Sequence, residues 1–164
     1  MLNSDVFPDQ EIETLFCQLN SVNAVVLAVS GGADSLAMMY LFARWRDKTG
    51  WSGKAIVATV DHKLRPEAAE EAVFVAKVSA DLGLQHETLV WNDDKPSSNV
   101  QAHARDARYK LLRELCKSNS IFHILLAHHA DDQAETIISR LIRGSGVTGL
   151  GAMRPVSQNN GIYR

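Results

Sequence analysis

"AVVLAVSGGADSLAMMYLF" occupies residues 24–42 and changes character in the middle. Residues 24–30 form a short continuous apolar run rich in valine, the pattern of a strand buried on both faces. From Ser35 to about Asp47, Leu36, Met39, Tyr40 and Ala43 recur at helical spacing. Between them, "SGGADS" (30–35) makes a sharp turn from strand into helix. Gly31 and Gly32 lack side chains, so an anion can come close to the backbone there. The N–H groups at the start of a helix point outward, and the helix dipole favours negative charge at that end. Ser30 and Ser35 add hydroxyl donors. On physical grounds this is a phosphate cradle. The common G-x-x-x-x-G-K-[ST] pattern is not met, because the turn has no lysine. Asp34 is the odd member: a carboxylate repels phosphates unless a cation lies between, so it points to Mg²⁺ bridging, to a charge aimed at a reacting group, or simply to a helix cap.

Further along the chain the same alternation repeats. "AIVATVDH" (55–62), "HETLVW" (86–91) and "FHILLAHH" (122–129) read as strands. Helical patterns cover Glu67 to Leu82, Val100 to Lys117 and Asp132 to Arg143, and a leading helix of about Asp9 to Asn20 lies within residues 1–23. Gly83 reads as a helix stop. Strand and helix in alternation predict an α/β fold, a doubly wound, mostly parallel sheet with helices on both faces. In such sheets ligands bind beyond the carboxyl ends of the strands. The segments to inspect therefore follow Ser30, Val60, Trp91 and Ala127.

Three of these carry chemistry. In "VDHKLRPEAAEEA" (60–72), Val60, Asp61 and His62 end the second strand, and Lys63 and Arg65 add local positive charge. In "LAHHADDQAET" (126–136), His128, His129, Asp131, Asp132 and Glu135 crowd a strand-to-helix turn. Asp132 and Glu135 share a helix face, which suits Mg²⁺, a cationic substrate or plain capping of the dipole. In "ARDARYKLLRELCK" (104–117), Arg105 and Arg108 share a face and suit phosphate, or form a solvated basic surface. "GSGVTG" (144–149) fits G-x-G-x-x-G but follows a helix instead of a strand, which argues for a helix cap and loop over a dinucleotide fingerprint.

Bulk properties narrow the class. The chain has 164 residues, 46% hydrophobic and 22% charged, with a net charge of −2, so no global basic field marks a nucleic-acid partner. Two cysteines, Cys17 and Cys116, make neither a disulfide framework nor a zinc spacing. No segment reads as a signal peptide, and no apolar run approaches the roughly 18 residues of a membrane span, so a cytoplasmic protein is expected. Residues 152–164 read as a disordered or linker-like tail.

Taken together, the motifs resemble a known family. "SGGADS" looks like the pyrophosphate loop of the PP-loop, or N-type, ATP pyrophosphatases, which use serine and glycine where P-loops use lysine. With "VDHKLRPEAAEEA", "ARDARYKLL", "LAHHADDQAET" and "LIRGSGVTGLGAM" in order, the chain is similar to the tRNA(Ile)-lysidine synthases from about residue 24 to its end. The resemblance implies an adenine nucleotide alpha-hydrolase-like, Rossmann-like fold. It also implies ATP-dependent adenylation of C2 of the wobble cytidine in a tRNA(Ile) with a CAU anticodon, then attachment of L-lysine. Ser30, Gly31, Gly32, Ala33, Asp34 and Ser35 would hold pyrophosphate, and Val60, Asp61 and His62 would border the adenosine. Asp34, His129 and Arg108 would be catalytic. Arg105, Arg108, Asp132 and Glu135 would meet lysine or tRNA, and Asp34 and Asp132 would hold Mg²⁺. The partners implied are ATP, L-lysine and tRNA, without a membrane and with a homodimer left open. Members of that family are longer, so residues 1–164 are expected to be one PP-loop domain cut at its carboxyl end. Thiolases and amide-forming ligases of the same superfamily, and a non-catalytic nucleotide sensor, are the rival readings.

Overall fold

The computed structural model describes residues 7–127, together with the backbone of two short strands at 158–159 and 162–163. Helix α1 (Asp9–Phe16) runs into a 3₁₀ turn (Cys17–Ser21), and then follow β1 (Ala24–Ala28), α2 (Ala33–Thr49), β2 (Lys54–Asp61), α3 (Glu67–Asp81), β3 (Gln85–Val90), α4 (Val100–Ser118) and β4 (Ile124–Leu126). These strands form one sheet in the order β3-β2-β1-β4, with β1–β2, β2–β3 and β1–β4 all parallel. The α/β fold expected from the alternation is therefore observed. The order turns back at β1, which puts a topological switch point between β1 and β4, where open parallel sheets bind ligands. The strands β5 (Gln158–Asn159) and β6 (Ile162–Tyr163) pair antiparallel within the segment expected to be a linker-like tail.

The apolar run of β1 sorts its side chains by the two-residue period of a strand. Val25, Leu27 and Val29 pack with Phe16 of α1, Met39, Phe42 and Trp45 of α2, and Val75 and Val78 of α3. Val26 and Ala28 face the other way, onto Leu112, Leu115 and Cys116 of α4. Burial on both faces explains why β1 reads as continuously apolar. β3 is an edge strand, only half-buried along its length, so its sequence signal is weaker.

The helix ends follow local chemistry. α2 begins two residues before the apolar period and is closed by Gly50 in the left-handed region, φ 67°. The Arg46 guanidinium of α2 donates to the carbonyls of Leu82 (2.9 Å) and Gly83 (3.2 Å), covering the carboxyl end of α3. α1 is tied to α2 by Lys48, which pairs with Asp9 at 2.8 Å and Glu13 at 3.1 Å, and by Arg44, which also pairs with Asp9.

His62, His86 and His123 are each held below the usual histidine range, in every case chiefly by burial. Protonation is thus disfavoured in the folded chain and free in the unfolded one. The unfolded chain binds more protons below about pH 6.5, so these groups stabilise the fold fully above that value, and the contribution is lost as pH falls toward their depressed folded values. Asp9, lowered chiefly by its hydrogen bond to Lys48, acts in a separate window, below its ordinary 3.8. The urea midpoint is expected to be lower at pH 5.5 than at pH 7.5, and His86→Gln is expected to flatten that difference. Equal midpoints at the two pH values would contradict the burial account.

Candidate functional site

Ser30 follows β1, and the loop it opens is shaped from within. Ser35 Oγ donates to Gly32 O at 2.9 Å, accepts from Ser30 N at 3.2 Å and lies 3.3 Å from Ser30 Oγ. Gly32 N donates to Ser30 Oγ at 3.4 Å. Ser35 is buried and Ser30 exposed, so the two hydroxyls divide the work: Ser35 holds the turn, and Ser30 stands at the surface of the cradle. Gly32 is the N-cap of α2 and Ala33 its first residue, so the first-turn N–H groups point out of the helix toward the loop. Asp34 is exposed in that first turn.

Gly31 has φ 91°, a conformation that costs a residue with a Cβ roughly 1–2 kcal/mol. A Cβ at Gly31 would lie 3.5 Å from Glu71 Cβ and 3.6 Å from Val75 Cγ2, ordinary contact distances. The strain is therefore backbone strain. Gly31→Ala is expected to lower stability by about 1–2 kcal/mol and to weaken nucleotide binding, as read by thermal melting with and without ATP. An unchanged melt would contradict the requirement for glycine.

The end of β2 splits two neighbours that the sequence left together. Asp61 Oδ1 accepts from Lys63 N at 2.8 Å, which fixes the turn in which Lys63 takes φ 51°. His62 packs instead against the Trp91 ring, the two planes nearly perpendicular and their centroids 6.0 Å apart. Its Nδ1 is buried and has no hydrogen-bond partner among the described residues. Burial first, and then the charge of Arg108, disfavour the imidazolium. Val60, half-buried, packs with the α4-side core.

Trp91 is held by a staple the sequence did not announce. Lys95 Nζ donates to Trp91 O (2.6 Å) and Asp93 O (3.1 Å) and lies 3.8 Å above the Trp91 ring. Lys63 Nζ donates to Asn92 Oδ1 at 2.9 Å, tying the β2 turn to the same loop.

Arg105 and Arg108 do not act alike. Arg105 is exposed and lies against Tyr109, 5.3 Å from the ring centroid. Arg108 is half-buried, and burial lowers its pKa. Among the described residues it has no carboxylate partner. A desolvated cation without a counter-charge is poised for an anion. His128, His129, Asp131, Asp132, Glu135 and the 144–149 glycines lie outside the described residues.

The geometry thus gathers a serine-and-glycine turn after β1, an arginine on α4 with no carboxylate partner among the described residues, and a histidine–tryptophan wall at the ends of β2 and β3. The PP-loop domain family matches residues 7–164. The chain belongs to that family. Curated relatives named tRNA(Ile)-lysidine synthase match this PP-loop chain closely. The one from Bradyrhizobium diazoefficiens is 48% identical over 93% of the chain and 42% of its own length. The one from Rhodopseudomonas palustris is 50% identical over 93% of the chain and 44% of its own length. The one from Wolbachia pipientis is 47% identical over 85% and 32%. The chain therefore spans less than half the length of these relatives. A solved structure described as the U34-tRNA thiolase NcsA from Methanococcus maripaludis with its [4Fe-4S] cluster superposes with a TM-score of 0.73. It is 18% identical and covers 85% of this chain and 50% of that one, which shows a shared fold.

No helix among the described residues is long and apolar enough to cross a membrane. Among those residues no three His, Cys, Asp or Glu side chains gather to hold a metal. Mg²⁺ is commonly bound by one or two carboxylates completed by substrate phosphates. Asp34, exposed in the first turn of α2 beside the glycine turn, is of the residue type that mode uses.

Proposed function

We propose that this PP-loop domain carries the adenylation and lysine-transfer chemistry of a tRNA(Ile)-lysidine synthase in the cytoplasm. Support comes from identity of about half to enzymes of that name, together with a lysine-free anion cradle at the sheet's switch point. The cradle from Ser30 to Ser35 binds the two outer phosphates of ATP. Val60, Asp61 and His62 border the adenosine. The C2 oxygen of the wobble cytidine attacks the α-phosphorus, the bond to the bridging oxygen breaks, and pyrophosphate leaves into the cradle. The amine of free L-lysine then attacks C2, loses a proton, and AMP departs with the oxygen. Mg²⁺, when bound with ATP, supplies positive charge to the leaving phosphates. Asp34, from the first turn of α2, and Asp132 would hold the ion. Arg108 meets the phosphate charge from α4, and Arg105 faces tRNA phosphate. His129 handles a proton, and Glu135 with Asp132 receives the lysine ammonium.

The thiolase rival needs cysteines for a cluster. Cys116 is buried in the α4 core, where burial pushes its thiol up to about 11, and Cys17 lies apart from it on the leading segment. Labelled L-lysine offered to the full-length enzyme with ATP and tRNA(Ile) separates the readings. Label entering tRNA supports the proposal. ATP turnover on tRNA that ignores lysine contradicts it.

A further inference from the structure

The cradle is short of cations. Its loop has no lysine, and Asp34 is acidic. Its flank, however, carries a charge pair. Glu71 of α3 lies beside the loop: a Cβ added to Gly31 would stand 3.5 Å from Glu71 Cβ and 3.8 Å from Glu71 Cγ. The Glu71 carboxylate is in turn gripped by Arg65, from the turn after β2. Both contacts come from one nitrogen, Nη2, at 2.9 Å to Oε1 and 2.8 Å to Oε2. Nε and Nη1 of Arg65 meet no acceptor among the described residues, and the side chain is 61% exposed. A guanidinium is a planar fork of five donors suited to phosphate oxygens. Here it is anchored by one corner, with its other donors meeting no acceptor among the described residues, on a residue that lies beside Gly31.

We propose that Arg65 is a further pyrophosphate-binding residue of this PP-loop, held beside the cradle by Glu71 as its positioning residue. The proposal rests on the cradle binding the outer phosphates of ATP. Arg65 keeps one corner on Glu71 and gives the others to pyrophosphate oxygens. It thereby stands between the carboxylate and the phosphates and supplies the cation the loop lacks. The Glu71 carboxylate, left alone, would repel the leaving group.

The test is calorimetric titration of the full-length enzyme with inorganic pyrophosphate and Mg²⁺, and separately with AMP, which has no outer phosphates. Arg65→Met is expected to weaken pyrophosphate binding about tenfold or more, the scale of lost charge-assisted hydrogen bonds, and to leave AMP binding within about twofold. Arg65→Lys is expected to restore part of the loss. Glu71→Gln is expected to weaken pyrophosphate binding by a smaller factor, because the arginine loses its anchor. Unchanged pyrophosphate binding in Arg65→Met overturns the proposal. So does tighter binding in Glu71→Gln, which would mean Arg65 is parked away from the ligand, and so does an equal loss of AMP and pyrophosphate, which would mark general damage. Failure of the wild-type enzyme to bind pyrophosphate at all is a different result: it overturns the cradle assignment, and Arg65's role with it.

Discussion

Asp34→Ala in the full-length enzyme lowers ATP turnover by about 10²–10³-fold, the usual scale for removing a group that stabilises developing charge. The melting temperature falls by no more than a few degrees. The two halves of this expectation come from different facts. Asp34 is exposed in the first turn of α2, away from the packed core. The first-turn dipole effect of its charge is worth about 0.3–1 kcal/mol, which is about 1–4 °C for a domain of this size. In the proposed catalysis the same carboxylate would hold a cation beside the loop. Turnover unchanged within twofold would contradict its assigned role. A loss of both fold and activity would make it structural. Turnover and a thermal melt, measured on the same preparation, separate the cases.

Arg108→Met has the opposite signature in stability. Arg108 is half-buried, burial disfavours its charge, and Arg105 adds like charge from the same helix. With no carboxylate beside it among the described residues, the ligand-free fold bears a desolvation cost without compensation. Methionine keeps much of the stem's volume and removes the charge. The variant is expected to melt at the wild-type temperature or above, while ATP turnover drops by about 10²-fold or more. The shift in melting temperature that saturating ATP gives the wild type should shrink as well. A melt lowered by several degrees with turnover intact would show that Arg108 serves the fold.

The parts of the fold legible in the sequence were those set by period and by glycine. β1 was visible because both its faces are buried, and the turn after it because Gly31 and Gly32 stand where a strand stops. α2 proved longer at both ends than its apolar period, since Gly32 and Gly50 set its limits and Leu36 and Ala43 do not. β4 is only three residues long, against the eight apolar-rich positions from Phe122 to His129. What could not be read was pairing between segments. Nothing in "WNDDKPSSN" (91–99) tells that Lys95 folds back over Trp91. Nothing in the spacing of Arg65 and Glu71 tells that they pair, or that the stem of Glu71 lies beside Gly31. Arg105 and Arg108 look equivalent at helical spacing. Only the packing of α4 against the sheet buries one and exposes the other. Asp61 and His62, adjacent in sequence, part for the same reason a strand alternates: one turns into its loop, the other meets the ring of Trp91.

A loop that grips the outer phosphates, as proposed for residues 30–35, directs the break to the bond between the α- and β-phosphates of ATP. Full-length enzyme incubated with tRNA(Ile), L-lysine and ATP labelled in its α-phosphate should return the label as AMP, with pyrophosphate formed in equal amount. Label recovered as ADP would mean the terminal phosphate had been transferred, and would contradict the assignment of residues 30–35 as a pyrophosphate loop.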